Sequence, residues 1–197
     1  MKPDLSRLLR PGSIALFGGG WVVNVVAQLK KSGFDGDIWP VHPKRIDILG
    51  VPCIASINDL PGVPDASFIG VNRDATIEVV ERLSAMGAGG ATCFASGFLE
   101  SETETAGGAD LQARLVGAAG QMPILGPNCY GLINYLDNVT LWPDQHGGLP
   151  VESGVAIVAQ SSNIAINMTM QTRGLPIAYV VAAGNQAQVG ASDIASA

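Results

Sequence analysis

The pattern of apolar residues changes from a continuous run to a helical period near the start of the chain. Residues 14–17 form a short apolar run that ends in three consecutive glycines, Gly18, Gly19 and Gly20. Apolar residues then recur at positions 22, 25, 26 and 29, which is the i, i+3, i+4, i+7 spacing of one helix face. Two lysines and Gly33 follow, as is typical of a helix C-terminus. The pattern therefore predicts a strand, a tight turn and a helix.

The same alternation continues to residue 125. Further strands are predicted at residues 37–41, 66–71, 89–94 and 122–125, and helices at 74–86 and 109–119. Pro40 lacks a ladder donor, so its strand is expected at an edge or a bend. Glu78 and Arg82 are predicted to form an outward-facing pair, and the acidic residues 100–104 an exposed loop or helix start. Such alternation predicts parallel βαβ units, and hence an α/β fold with a Rossmann-like doubly wound sheet.

A loop separates this region from a second one. Residues 126–134 read Gly-Pro-Asn-Cys-Tyr-Gly-Leu-Ile-Asn, a composition that predicts a shaped loop rather than a helix or a central strand. The alternation then resumes, with strands predicted at 155–159 and 177–182 and a helix at 162–173 capped by Gly174. We predict a first domain at 1–134, a connection at 135–150 and the start of a second, flavodoxin-like α/β domain at 151–197. Because two strands cannot bury their own faces, the second domain is expected to be incomplete.

Composition narrows the function classes. The 197 residues are 47% hydrophobic and 14% charged, as expected of a well-packed globular protein. The formal net charge of -6 argues against general binding to nucleic acid or anionic membranes. Cys53, Cys93 and Cys129 form no Cys-x-x-Cys pair, so we predict neither a disulfide framework nor a metal site. No apolar run approaches a membrane span, and a reducing cytoplasm is the expected setting.

Two loops after the first strands favour an anionic ligand. Gly18, Gly19, Gly20 and Trp21 open the first helix, where free N–H groups and the helix dipole favour a phosphate. The spacing is not a full G-x-G-x-x-G motif, so the glycines could instead serve a tight turn and close helix packing. The second strand is followed by His-Pro-Lys-Arg, where an NAD-binding domain usually carries an acidic residue. Lys44 there suits a phosphorylated ribose, as in NADP or coenzyme A, unless it is a solvated surface charge.

Two further loops would line the same crevice, since ligands of doubly wound sheets bind at the carboxyl ends of the strands. Asn72 and Arg73 follow the third strand. Ser96 and Gly97 follow the fourth, where Ser96 could either donate to a ligand or cap the turn.

The shaped loop and the second domain contribute the remaining candidates. Asn128 and Cys129 lie in the loop, and because no histidine is spaced to mark a partner, Cys129 is interpreted as loop architecture rather than a nucleophile. Ser161, Ser162 and Asn163 open the helix of the second domain, as an anion-favouring N-terminus or as ordinary N-capping residues.

Taken together, these motifs resemble the NDP-forming acyl-CoA synthetases, the superfamily that includes the α subunit of succinyl-CoA synthetase. Gly126-Pro127-Asn128-Cys129-Tyr130-Gly131 resembles the G-P-N-C-x-G loop that closes the family's CoA-binding domain. Val41-His42-Pro43-Lys44 is similar to the family's V-N-P-K segment, and Phe94-Ala95-Ser96-Gly97-Phe98 to a strand end before a glycine and a phenylalanine. The resemblance covers essentially the whole chain.

The resemblance implies a reaction in which acid, CoA and nucleoside triphosphate are joined through an acyl phosphate and a phosphorylated histidine. It implies CoA contacts from eight residues: Gly18, Gly19, Gly20, Trp21, Lys44, Asn72, Ser96 and Gly97. The helix that begins at Ser161, Ser162 and Asn163 would face the phosphohistidine through its backbone N–H groups. NTP and Mg would be bound by parts outside this chain, in an ATP-grasp domain or β subunit, fused or separate.

The sequence also departs from the family. Ala159-Gln160-Ser161-Ser162 stands where the family has S-x-S-G, although the family's next Gly-Asn is present as Gly184-Asn185. The phosphorylated histidine belongs to a G-H-A-G-A-like segment that does not occur in these residues, so the resemblance implies a fragment that cannot complete the reaction. Two alternatives stay open: a non-catalytic CoA-binding regulatory module and an NADP-dependent oxidoreductase. Assembly as a homo-oligomer is also left open by the sequence.

Overall fold

A computed structural model of the protein describes residues 3–101 and 107–197. Within these ranges the strands are, in chain order, β1 (Ser13–Gly18), β2 (Asp37–Val41), β3 (Asp47–Ile48), β4 (Val51–Pro52), β5 (Ala66–Gly70), β6 (Ala91–Cys93), β7 (Ile124–Leu125), β8 (Leu132–Asn134), β9 (Val139–Leu141), β10 (Val155–Ala159) and β11 (Ile177–Ala182). The helices are α1 (Ser6–Leu9), α2 (Gly20–Ser32), α3 (Arg73–Ala85), α4 (Gly108–Ala119), α5 (Ser162–Thr169) and α6 (Ala191–Ile194). Residues 102–104 of the predicted acidic segment lie outside the described ranges.

The first sheet is parallel throughout and has the order β2-β1-β5-β6-β7. After β1 the chain moves to one side for β2 and then crosses to the other side for β5, so the direction of winding reverses between β1 and β5. In open α/β sheets this switch point is where ligands bind. β2 is the edge strand, as its Pro40 predicted, and the Pro40 carbonyl accepts a bond from the N–H of Ile54 at 2.8 Å.

Both faces of the first sheet are covered, as a doubly wound fold requires. Side chains of β1 alternate between two hydrophobic clusters: Ile14 and Leu16 belong to one, and Ala15 and Phe17 to the other. The first cluster contains the inward face of α2, namely Val22, Val25, Val26 and Leu29. The second contains the inward residues of α3 and α4, namely Ile77, Val80, Leu83, Leu115 and Ala119. The predicted helix faces are therefore the ones that pack.

A second, mixed sheet has the order β10-β11-β8-β9. β10 and β11 are parallel, whereas β8 runs antiparallel to both β11 and β9. The prediction that residues 126–134 are loop throughout was therefore wrong for its last three residues, which are β8. The predicted connection 135–150 likewise contains β9. These strands were missed because each has only three residues, too few to show a period.

The hairpin β8–β9 completes the second sheet from the first part of the chain. It packs its apolar residues into the same cluster as α2, including Leu132, Ile133, Leu141 and the fully buried Trp142. One hydrophobic cluster thus extends from the first sheet to the second. The division into domains at 134 and 151 remains a proposal, with the change of sheet occurring near Gly131.

Helix α5 ends at Thr169, four residues before the predicted end at 173. Beyond it the Gln171 side chain takes the place of helical bonds, since its Oε1 accepts from the N–H of Arg173 at 2.6 Å and its Nε2 donates to the Leu175 carbonyl at 3.0 Å. Among the described residues, no helix combines the length and apolarity that a membrane crossing needs.

Candidate functional site

Two adjoining cavities open at the carboxyl ends of the parallel strands. The smaller, of about 530 Å³, is lined only by residues between positions 17 and 82. The larger, of about 810 Å³, is lined by the ends of β5 and β6, by the loop after β7 and by the start of α5. The two share a wall made of Gly70, Val71 and Asn72, at the carboxyl end of β5. The two cavities are therefore adjacent at this edge of the sheet.

The glycine turn after β1 divides between the two cavities. Gly18 and Gly19 line the smaller one, Trp21 lines the larger one, and Gly20 lines neither. Gly18 has a φ of +141°, and a Cβ there would lie 2.5 Å from the carbonyl oxygen of Gly70 on the neighbouring strand. Only glycine fits this conformation and this approach. Close packing of β1 against β5 thus accounts for Gly18, while the backbone of the turn faces the cavity.

The turn after β2 is organised by His42. Its Nδ1 accepts the backbone N–H groups of Lys44 and Arg45, both at 3.1 Å, so the ring acts as a turn-forming acceptor. His42 and Pro43 line the smaller cavity, whereas Lys44 is exposed and lines neither cavity. The cation in the lining of the smaller cavity is Arg82, which comes from α3.

Arg82 faces outward, as the sequence predicted, but its partner differs from the predicted one. Its Nη2 donates to Asn58 Oδ1 at 2.5 Å, and the described ion pairs include none between Glu78 and Arg82. The segment that precedes Asn58 pairs with β2 through Ile54, so Asn58 lies near the end of that strand. The bond to Asn58 holds Arg82 in the lining of the smaller cavity. Helical periodicity carries no signal for such a partner, because Asn58 lies in a short turn far from α3 in sequence.

Asn72 and Arg73 hold the wall of the larger cavity. Asn72 caps α3, since its Oδ1 accepts from the N–H of Ala75 at 2.9 Å. Arg73 Nη1 donates to the Gly97 carbonyl at 2.9 Å, which ties the loop after β5 to the loop after β6. Ser96 is exposed and lines the larger cavity, while Gly97 has a φ of +94° and donates its N–H to Glu100 Oε1 at 2.7 Å without lining the cavity.

Cys129 is a structural residue of the loop after β7. The side chain is 1% exposed, and its thiol donates to the Cys93 carbonyl at 3.9 Å. Burial raises the pKa of the Cys129 thiol well above its usual range and raises the pKa of Cys93 to about 12. Because the thiolate is the nucleophile, neither cysteine is suited to that role at neutral pH. Asn128 is exposed on the same loop, has a φ of +56° and lines the larger cavity.

The start of α5 forms the far wall of the larger cavity. Ser161, Ser162 and Asn163 all line it. Ser161 occupies the N-cap position without a side-chain capping bond. The Ser162 hydroxyl accepts the N–H of Tyr130 at 3.1 Å and so joins α5 to the loop after β7. Ordinary capping by Ser161 therefore does not account for this serine pair.

Residues after β11 hold the loop after β7 in shape. The N–H groups of Asn185 and Ala187 donate to the carbonyls of Pro127 and Gly126, both at 2.9 Å. Gly184 has a φ of +57°, and a Cβ there would lie 2.4 Å from the Pro127 carbonyl oxygen. The larger cavity is thus built jointly by the two sheets. Among the described residues, no cluster of His, Cys, Asp or Glu is arranged to hold a metal ion.

The structure brings together ten of the predicted site residues and sets three apart. Those lining a cavity are Gly18, Gly19, Trp21, Asn72, Ser96, Asn128, Cys129, Ser161, Ser162 and Asn163. Gly20, Lys44 and Gly97 line neither. Phe94, Tyr130 and Arg82 line the cavities without having been predicted as site residues, although Phe94 and Tyr130 lie inside the motifs that carry the family resemblance.

The fold and the cavities define a doubly wound α/β protein with two adjacent cavities at its switch point, the place where such sheets bind ligands. A family profile described as a CoA binding domain matches residues 15–135, and the chain belongs to that family.

Similar proteins extend over nearly the whole chain. A trans-feruloyl-CoA synthase from an unknown prokaryotic organism is 32% identical over 96% of this chain. An ADP-forming acetate–CoA ligase II of Archaeoglobus fulgidus is 31% identical over 95% of it. This chain spans 28% and 29% of the lengths of these two relatives. Among solved structures, the apo form of the dinucleotide forming acetyl-coenzyme A synthetase 1 of Ca. Korarchaeum cryptofilum matches with a TM-score of 0.85 and 25% identity, over 98% of this chain and 43% of that one.

Proposed function

We propose that this chain is the CoA-binding portion of an NDP-forming acyl-CoA synthetase, which converts acid, CoA and NTP to acyl-CoA, NDP and phosphate. The observation that carries the proposal is the pair of adjoining cavities at the switch point of a CoA-binding family member. Relatives named as CoA ligases match nearly all of this chain, which supports the reaction class.

CoA has a nucleotide end and a thiol end, and the two cavities differ in a way that suits them. The smaller cavity combines the backbone of Gly18 and Gly19 with apolar residues and Arg82. Backbone N–H groups at the start of a helix favour a diphosphate, so we assign the nucleotide end to this cavity. The pantetheine arm then passes the shared wall at Asn72, and the thiol enters the larger cavity near Asn128.

The remaining roles follow the same assignment. Trp21 and Ser96 would contact the thiol end, and Lys44 and Gly97, outside both cavities, would make at most peripheral contacts. Ser161, Ser162 and Asn163 would face a phosphorylated histidine supplied from outside this chain, with backbone N–H groups at the start of α5 stabilising its charge. NTP and Mg would be bound by an ATP-grasp domain or β subunit, fused or separate, and the setting would be the cytoplasm.

Calorimetric titration of the chain with CoA and with dephospho-CoA tests the proposal. We expect saturable binding of both with dissociation constants below about 1 mM, equivalent to more than about 4 kcal/mol of binding free energy. Free pantetheine, which lacks the nucleotide end, serves as the control and should bind more weakly. Failure of both CoA and dephospho-CoA to bind would overturn the assignment.

A non-catalytic CoA-binding module predicts the same titrations. A ligase assay of the whole protein that carries this chain separates the two, because only the synthetase releases NDP and phosphate in step with acyl-CoA. NDP release that depends on both acid and CoA supports the synthetase, and CoA binding without any such turnover supports the module.

A further inference from the structure

A row of aromatic rings ends at the larger cavity. The ring centroids of Trp21 and Phe94 are 4.9 Å apart, those of Phe94 and Tyr130 5.6 Å, and those of Tyr130 and Trp142 5.4 Å. Phe68 packs against the row, with its ring centroid 5.6 Å from that of Phe94. Phe68 and Trp142 are fully buried, whereas Trp21 is 44% exposed. The row is therefore anchored in the core at one end and open to the cavity at the other.

Trp21 is not needed to fill the core. It stands at the start of α2, whose core face is formed by Val22, Val25, Val26 and Leu29. Its ring instead packs on Phe94 and forms part of the cavity wall. An exposed indole that is held by a second ring offers a preorganised surface for a planar ligand group, because little side-chain freedom is lost on binding.

The position of the ring indicates which part of the ligand it meets. Trp21 lines only the larger cavity, and the nucleotide end of CoA is assigned to the smaller one. The group that shares the larger cavity with the CoA thiol is the acyl group, since the thiol attacks the carbonyl carbon of the acyl phosphate, its C–O bond to phosphate breaks and phosphate leaves. Most other side chains of this cavity are polar, and Arg73 adds a positive charge suited to a carboxylate. The three rings of Trp21, Phe94 and Tyr130 form its main apolar wall.

We propose that Trp21, supported by Phe94 and Tyr130, is a specificity-determining residue that selects an aromatic carboxylic acid by stacking on its ring. The inference rests on the proposed function, because it names the substrate class of the same site. A small aliphatic acid would leave the exposed indole without a partner, whereas a planar aromatic acyl group would cover it.

The test compares the affinities of CoA, acetyl-CoA and benzoyl-CoA for the chain by calorimetry. For the unaltered chain, benzoyl-CoA should bind about fivefold more tightly than acetyl-CoA, as expected of one aromatic pair. In Trp21→Ala the ratio should fall below about twofold, while Trp21→Phe should keep part of it. Trp39→Phe is the matched control, since Trp39 lies on β2 and lines neither cavity, and it should leave the ratio unchanged.

The ring could also stack on the adenine of CoA, and the same titrations distinguish this case. Loss of affinity for CoA, acetyl-CoA and benzoyl-CoA by the same factor in Trp21→Ala would assign the ring to a part that all three share, the adenine or the pantetheine arm, and would overturn the proposal. Benzoyl-pantetheine, which has no adenine, should still lose affinity in Trp21→Ala if the acyl group is the partner. CoA binding with no preference for benzoyl-CoA overturns the aromatic substrate alone, whereas failure of the unaltered chain to bind any of the thioesters or CoA overturns the proposed function as well.

Discussion

The two cavities are neighbours, yet the chain builds them in different ways. The smaller is made within the first sheet, by residues 17–82, and needs nothing from the second unit. The larger draws on residues from Trp21 to Asn163 and depends on the loop after β7, which the second sheet holds in shape. Under the proposed function, recognition of the nucleotide end is local to one unit, whereas the reacting end of the ligand is enclosed only when both units are in place.

The strongest way to break this comparison is to disturb the larger cavity alone. Gly184→Ala would place a Cβ against the Pro127 carbonyl in a left-handed conformation, so we expect a loss of about 3 kcal/mol in the free energy of unfolding, from strain and overpacking together. Affinity for CoA should fall, while affinity for ADP, a probe of the smaller cavity, should change little. Urea unfolding and calorimetry measure the two effects.

Gly174→Ala is the matched control, since Gly174 also has a positive φ, of +76°, but has no atom within 4 Å of an added Cβ. It should cost only the conformational strain, about 1 kcal/mol. Equal losses in the two variants would show that the contact between Gly184 and the loop after β7 contributes nothing.

The next prediction concerns the smaller cavity. Arg82→Met removes the cation from its lining, so affinity for both ADP and CoA should fall about tenfold, the size expected for one charge-assisted contact. Lys44→Met, which changes an exposed side chain outside both cavities, should weaken binding less than about twofold. The comparison is by calorimetry at one salt concentration. A larger loss for Lys44→Met than for Arg82→Met would restore the role that the sequence predicted for Lys44.

The amino ends of β1 and β5 lie at the opposite edge of the first sheet from the cavities, and the interactions of Asp65 there stabilise the fold without taking part in the proposed binding site. Asp65 accepts from Arg7 Nε at 2.7 Å and from the N–H of Gly12 at 3.0 Å. Burial acts to raise the pKa of Asp65, but the bonds from Arg7, Gly12 and Ser13 outweigh it and lower the pKa below its usual value. The contribution of Asp65 to stability is therefore present above the unfolded pKa, about 3.9, and is lost as the pH falls through the lower folded value.

Asp65→Asn should accordingly lower stability at neutral pH and make stability fall less steeply with acid, while CoA affinity at pH 7 stays the same. Thermal unfolding across the acid range measures the slope. An unchanged slope would mean that the carboxylate network contributes nothing to acid sensitivity.

The last prediction concerns the reactivity of the three cysteines, for which we expect the smallest effect. Burial raises the pKa of all three thiols, but Cys53 is partly exposed, whereas Cys93 and Cys129 are buried. A maleimide at pH 8 should therefore label Cys53 in the native chain and all three cysteines after unfolding, as counted by mass spectrometry. Rapid native labelling of Cys129 would reopen its interpretation as a nucleophile.

The sequence predicted the first sheet well because its helices have clear apolar faces and its central strands β1, β5 and β6 are buried runs. It did not predict β8 and β9, because the proline, glycines and asparagines around Leu132 dominate a segment whose strands are three residues long. For the candidate site, the sequence predicted which loops lie at the strand ends, but not which side chains of those loops and of the neighbouring helices face the cavities. Arg82 turns toward Asn58, and Lys44 remains in solvent, for reasons that lie in contacts between distant segments.

A crystal structure of the chain with CoA tests the central claim most directly. The account predicts the diphosphate beside Gly18 and Gly19 in the smaller cavity, and the pantetheine arm passing Asn72 so that the thiol lies in the larger cavity near Asn128. CoA bound in the reverse direction, or outside both cavities, would contradict it.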